Sequence, residues 1–119
     1  MTAPYIRQDV KRLLAMMAAS SLPPIHELTP AEARAMRAQS KVETEPPIGK
    51  LAVIRNLSCP GPAGEISLRL FDARAERGPG DLIVFTHGGG FVFGDLDSHA
   101  SLCAEIARVM DLPVIAIDY

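Results

Sequence analysis

Leu82-Ile83-Val84-Phe85-Thr86-His87-Gly88-Gly89-Gly90 is the stretch from which the rest of this chain can be read. Its first five residues show no polar alternation, the pattern of a strand covered on both faces in a parallel sheet. Three consecutive glycines then follow, able to reach φ > 0, turn the backbone sharply and leave amide N–H groups unshielded by any Cβ. Bare amides at the end of a central strand are suited to holding a negative charge that develops during a reaction.

Downstream, Phe91-Val92-Phe93-Gly94 continues the loop, and Asp97 or Ser98 is expected to cap a helix with apolar positions Leu102, Cys103, Ile106, Val109 and Met110. Asp95 and Asp97 fall at its positive end and Arg108 near its negative end, both favourable to the helix dipole. Val114-Ile115-Ala116-Ile117-Asp118 reads as a second apolar strand. Strand, loop, helix and strand in that order form a β-α-β crossover, and the fold class is α/β. Upstream, residues 51–57 read as a strand, residues 58–64 as a turn rich in proline and glycine, and residues 65–71 as a half-exposed strand of period two. These two strands are expected to pair as an antiparallel hairpin at a sheet edge. Residues 72–81 read as a charged surface loop.

The N-terminal third has a different character. Ile6, Val10, Leu13, Leu14 and Met17 recur at helical spacing and predict an amphipathic helix over residues 5–19. Pro23-Pro24 ends that region. Thr29-Pro30-Ala31-Glu32 carries an N-cap threonine, a proline at the first helical position and a glutamate three residues past the cap, which predicts a second helix from Pro30 to about Gln39. Its apolar face is thin, so it should lie on another surface. Pro46-Pro47-Ile48-Gly49 divides the chain into helices over residues 1–45 and an incomplete α/β core over residues 46–119.

Composition bounds the function. At 119 residues the chain is at most one small domain, and 48% hydrophobic with 22% charged residues fits a globular protein. A net charge of −2 gives no reason to expect nucleic acid as a partner. Residues 81–119 carry six aspartates and glutamates against Arg108 alone, which argues against a phosphate-rich ligand at the glycines. Cys59 and Cys103 have neither metal nor redox spacing, and Cys103 is expected as a small buried hydrophobe. The N-terminus lacks the basic start and apolar run of a signal peptide, and no apolar run is long enough to span a bilayer. A cytoplasmic location is the default.

Three readings of the glycines compete. They could serve only as a tight connection between strand and helix. They could belong to a dinucleotide-binding β-α-β unit ending in Asp118, but G-x-G-x-x-G begun at Gly88 requires glycine where Phe93 stands. Residues 91–97 also hold the helix start away from any pyrophosphate. The third reading is an oxyanion hole. A metal site built from His87, Asp95, Asp97 and His99 is rejected, because Asp95-x-Asp97 lacks the glycine and terminal glutamate of a calcium loop.

The neighbours of the glycines favour the third reading. His87-Gly88-Gly89-Gly90-Phe91-Val92-Phe93-Gly94-Asp95-Leu96-Asp97-Ser98-His99 resembles the hormone-sensitive-lipase family of carboxylesterases (bacterial family IV). Val114-Ile115-Ala116-Ile117-Asp118-Tyr119 is similar to the start of that family's D-Y-R-L-A-P-E segment. Leu22-Pro23-Pro24-Ile25-His26-Glu27-Leu28-Thr29, with Ala33-Arg34, resembles its N-terminal cap.

The resemblance implies the N-terminal portion of an α/β-hydrolase sheet: cap helices, an antiparallel edge hairpin and the first β-α-β unit. It implies an oxyanion hole of Gly88, Gly89 and Gly90, with the Gly89 and Gly90 amides as donors. His87 and Asp118 would be structural residues beside it, and Phe91 and Phe93 would border the substrate. The implied function is serine-dependent hydrolysis of small carboxylic esters, with no cofactor and no metal. Nucleophile, acid and base are expected outside residues 1–119, since no serine here sits in G-x-S-x-G. The isolated chain is therefore expected to be inactive and to need the missing C-terminal half or another copy of itself. A truncated chain kept as an interaction module is the non-enzyme alternative.

Overall fold

The computed structural model describes residues 4–39 and 46–119. Residues 1–3 of the N-terminus and residues 40–45, where the expected division between helices and core falls, lie outside the described residues. The elements in chain order are α1 (Gln8–Ala18), a 3₁₀ turn (Ile25–Glu27), α2 (Pro30–Gln39), β1 (Val53–Gly61), β2 (Gly64–Asp72), β3 (Ile83–Thr86), α3 (Ala100–Met110) and β4 (Val114–Ile117).

The four strands form one mixed sheet in the order β1-β2-β4-β3. β1 and β2 are the expected hairpin, but the turn is only Pro62-Ala63 between Gly61 and Gly64. Residues 58–61, read as turn from their composition, instead continue β1. Pro60 is tolerated there because β1 is an edge strand and pairs on one side only. β4 lies antiparallel to β2 and parallel to β3, with α3 crossing between the two parallel strands. β3 is thus the other edge of the sheet.

The core sits between the sheet and α3. Phe71 of β2 and Val114 of β4 are fully buried, and Ala100, Cys103, Ala104 and Ala107 of α3 close over them. Burying Phe71 contributes about 2–3 kcal/mol. Cys103 is a buried small residue, as expected. Ile106 packs against the core as well, but the rest of the predicted stripe is corrected: Leu102, Val109 and Met110 are exposed. Small side chains at i, i+3, i+4 and i+7 bring the helix axis close to the sheet, and the larger apolar residues lie off that seam. The segment before β1 covers α3: Ile48 and Leu51 pack on the core, and the Arg108 guanidinium donates to the Ile48 carbonyl at 2.8 Å.

Only one sheet face is covered. Ile83 and Phe85 pack toward α3, whereas Leu82 and Val84 are 48% and 57% exposed. The reading of residues 82–86 as covered on both faces is therefore corrected within this chain, because α3, on β2 and β4, is the one helix packed on the sheet among the described residues.

α1 is shorter than predicted and buries none of its side chains, leaving Leu13, Leu14, Met16 and Met17 exposed. α2 matches its predicted span. Its capping box is formed: the Thr29 amide donates to Glu32 Oε2 at 2.8 Å, and the Thr29 hydroxyl donates to the same oxygen at 2.6 Å. These bonds, the hydroxyl's first, hold the Glu32 carboxyl below the usual carboxylate range.

Residues 72–81 are more than a surface loop. Asp72, at the end of β2, is buried and takes a forked pair of bonds from Arg77, whose guanidinium also reaches Asp111 at 3.0 Å. Arg74 pairs with Asp111 as well. Asp111 is the left-handed residue (φ 53°) that ends α3, so the cluster staples the β2–β3 connection to the helix C-terminus. Arg77's hydrogen bonds outweigh burial and lower the Asp72 pKa from its ordinary value.

Candidate functional site

β3 delivers the chain at Thr86, opposite Ile117 of β4, and the next residues leave the sheet. Gly89, Gly90 and Gly94 adopt φ of 143°, 59° and 97°, and Phe91 adopts 61°. A Cβ on Gly89 would stand 2.0 Å from the Phe93 carbonyl oxygen, and one on Gly94 would stand 2.1 Å from His87 Nδ1. The loop therefore closes on itself at two places where only glycine fits. The amides of Val92 and Phe93 both donate to the Gly89 carbonyl, at 3.1 and 3.0 Å. The amides of Gly89 and Gly90 have no acceptor among the described residues. The left-handed backbone of Phe91, a bulky residue, is strained by about 1–3 kcal/mol.

His87 is 5% exposed. Its Nδ1 lies 3.0 Å from the Gly88 carbonyl, an arrangement that requires a proton on Nδ1. Its ring stacks on Tyr119 with centroids 4.5 Å apart, and the Tyr119 hydroxyl donates back to the His87 carbonyl. His99 is stacked further off, at 6.1 Å. Nε2 of His87 is buried with no partner among the described residues.

An open cavity of about 320 Å³ lies against the loop. Its walls are Gly88, Gly89, Phe93 and Gly94, then Ser98 with His99 ahead of α3, and Arg37 from α2. Gly90 and Phe91 are outside this lining. Phe91 is 88% exposed, with its ring set edgewise to Tyr119. α2 is tied to the loop by Arg34, whose Nε donates to the Val92 carbonyl at 2.7 Å, and Ala33 beside it is buried.

Ser98 and His99 resemble a nucleophile and base, with Oγ 3.0 Å from Nδ1. Their other bonds argue otherwise. Ser98 Oγ accepts from the Asp95 amide at 3.0 Å and donates to the Asp95 carbonyl at 2.9 Å, so the hydroxyl is built into a turn. The Asp95 carboxylate accepts from the amides of Asp97 and Ser98, which fixes the same turn. The predicted cap at Asp97 or Ser98 is corrected accordingly. The N-cap of α3 is His99, which makes no side-chain capping bond. Asp97 is drawn to Arg69 of β2 at 2.6 Å, and Arg69 also holds Asn56 and the Leu96 carbonyl. This arginine bolts the segment between the glycine loop and α3 onto the sheet.

Asp118 stands apart from the glycine cavity. Its amide donates to the Ser67 carbonyl at 3.0 Å, and the residue lines a separate cavity of about 280 Å³ with Ser67, Arg69, Asp95 and Asp97. Arg37, Ser98 and His99 as cavity walls were missing from the sequence reading. Arg34 and Arg37, three apart, share a helix face, but nothing local shows that this face meets the loop.

Comparison with known proteins agrees with this architecture. Residues 83–119 match a family described as having the alpha/beta hydrolase fold. The carboxylic ester hydrolase LipN of Mycobacterium tuberculosis is 47% identical over 66 residues, covering 56% of this chain and 17% of its own length. An acetyl esterase of Salmonella schwarzengrund is 34% identical over 65 residues, covering 55% of this chain and 20% of its own. The solved structure of an ester hydrolase from the metagenome of Lake Arreo, in complex with a bipyridine phosphonate derivative, superposes with a TM-score of 0.80 at 29% identity, over 97% of this chain and 38% of that one. The chain thus spans about a fifth of the length of these curated relatives. Sheet order, glycine loop and relatives agree: the chain has the fold of an N-terminal portion of an α/β hydrolase and is similar to carboxylic ester hydrolases and acetyl esterases.

Proposed function

We propose that the complete protein hydrolyses small carboxylic esters and that this chain supplies its oxyanion hole. The observation that carries the reading is the pair of amides at Gly89 and Gly90 that have no acceptor among the described residues, on a loop whose closure only glycine permits. When a serine attacks an ester carbonyl, the carbonyl oxygen gains negative charge. Donors already in place stabilise that charge without reorganising, and each is worth about 3 kcal/mol. Gly88 sets the turn. His87 is structural: its Nδ1 proton is committed to the Gly88 carbonyl and its ring to the stack with Tyr119, which disfavours it as general base. Asp118 is likewise structural, holding β4 to β2 through its amide. Substrate contact rests on Phe93, which lines the cavity, while Phe91 stands in solvent.

Residues 1–45 act as a cap over a core of residues 46–119, with α2 as the part of the cap that meets the cavity. The nucleophile, acid and base belong to another part of the complete protein, and the acyl-enzyme forms on that serine. The segment alone is inactive, and its free β3 edge is completed by that part or by another copy. Among the described residues no helix is long and apolar enough to cross a membrane. The enzyme is assigned to the cytoplasm.

A fluorophosphonate probe, with p-nitrophenyl butyrate as substrate, tests the function. The complete protein should be labelled at one serine and turn over the ester, while the 119-residue chain should do neither. A complete protein that is folded yet neither labelled nor active would overturn the reading.

A further inference from the structure

We infer that Arg37 makes the glycine cavity selective for esters that also carry a free carboxylate, such as half-esters of dicarboxylic acids. This rests on the ester-hydrolase reading of the same cavity.

Among the described residues, Arg37 is the one residue of the lining with a permanent charge, and no described acid shares those walls. Among the described residues its guanidinium has no hydrogen-bond or ion-pair partner, in contrast to its neighbour Arg34, which is committed to the Val92 carbonyl. The described acids on α2 and in the segment before α3 are engaged elsewhere. Asp97 is held by Arg69, Asp95 is held by the amides of Asp97 and Ser98, and Glu32 is held by Thr29. The same lining includes Gly89, whose amide has no acceptor among the described residues.

The cavity therefore presents two kinds of donor to an incoming molecule. The amide is placed for an ester carbonyl oxygen and the guanidinium for a carboxylate, which it can grip by its planar fork. A dicarboxylic half-ester supplies both acceptors on one short chain. Its hydrolysis breaks the bond between acyl carbon and alkoxy oxygen, with water supplying hydroxide to the acyl group and a proton to the alcohol.

Monomethyl glutarate and methyl pentanoate form a matched pair, differing in a carboxylate in place of a methyl group. With the complete protein, kcat/KM for the half-ester should exceed that for the neutral ester by about fivefold, the size expected of a solvent-exposed ion pair. The difference should lie in KM and shrink as salt is raised. Arg37→Gln should abolish the preference and Arg37→Lys should keep most of it. A preference ratio unchanged by Arg37→Gln, while methyl pentanoate is still hydrolysed, would overturn this inference alone. Failure of a folded protein to hydrolyse either ester would remove the ester-hydrolase reading together with it.

Discussion

Replacing Gly89 by alanine places a Cβ 2.0 Å from the Phe93 carbonyl oxygen and 2.6 Å from its carbonyl carbon. Ordinary contact between such atoms is about 3.5 Å, so the two strands of the loop must part by about 1.5 Å. The colliding atoms are backbone, so no rotamer relieves the overlap. The bond from the Phe93 amide to the Gly89 carbonyl, 3.0 Å long, is lost in the same movement. A donor moved that far no longer reaches the oxyanion, and losing one donor costs about 3 kcal/mol, or more than a hundredfold in kcat. Gly90→Ala provides the control. No atom lies within 4 Å of its Cβ, and φ of 59° adds only left-handed strain of about 1–2 kcal/mol to folding. Hydrolysis of p-nitrophenyl butyrate by the complete protein, with thermal melts to confirm folding, separates the two. Gly89→Ala should lose about a hundredfold in kcat with little change in KM, whereas Gly90→Ala should lose mainly stability. A folded Gly89→Ala protein with wild-type kcat would refute the argument.

Asp72→Asn should destabilise the complete protein near neutral pH, because Arg77 loses its forked partner. The Asp72 pKa is lowered on folding, so its contribution is full above the ordinary aspartate range and is lost as pH falls through the lowered value. Urea unfolding of both proteins should therefore show a stability gap at about pH 7 that narrows as pH falls below the ordinary aspartate range; a constant gap would contradict the sign. Thr29→Ala should weaken the start of α2 by about 1 kcal/mol, seen as faster amide exchange in its first turn. Unaltered exchange there would mean that the capping box does not hold α2 on the loop. The 119-residue chain alone should sediment as associated species, since β3 leaves an open edge with Leu82 and Val84 exposed. A stable monomer would count against completion by another part or copy.

The β-α-β unit and the hairpin were legible because their signals are local: apolar runs, period two, and glycines after a strand. The capping box at Thr29 was legible for the same reason, being formed within four residues. Errors arose where tertiary contact overrode local pattern. Residues 58–61 carry turn composition, yet an edge strand accepts Pro60 and the hairpin tightens to Pro62-Ala63. Of the predicted α3 stripe, Cys103 and Ile106 pack on the core, whereas Leu102, Val109 and Met110 do not, because close packing on the sheet selects Ala100, Ala104 and Ala107 beside Cys103. Asp97 had the chemistry of a cap, but Arg69, twenty-eight positions away, offers it a full charge. At the site, the glycines and His87 were visible as a motif. Arg37 was not, because only the docking of α2 through Arg34 brings it to the cavity.

The most direct measurement is a crystal structure of the complete protein covalently inhibited by a phosphonate ester, whose phosphoryl oxygen stands in for the oxyanion. The account predicts that this oxygen lies about 2.7–3.1 Å from the amide nitrogens of both Gly89 and Gly90. A phosphoryl oxygen held by other donors, with these two amides facing away from it, would contradict the central claim.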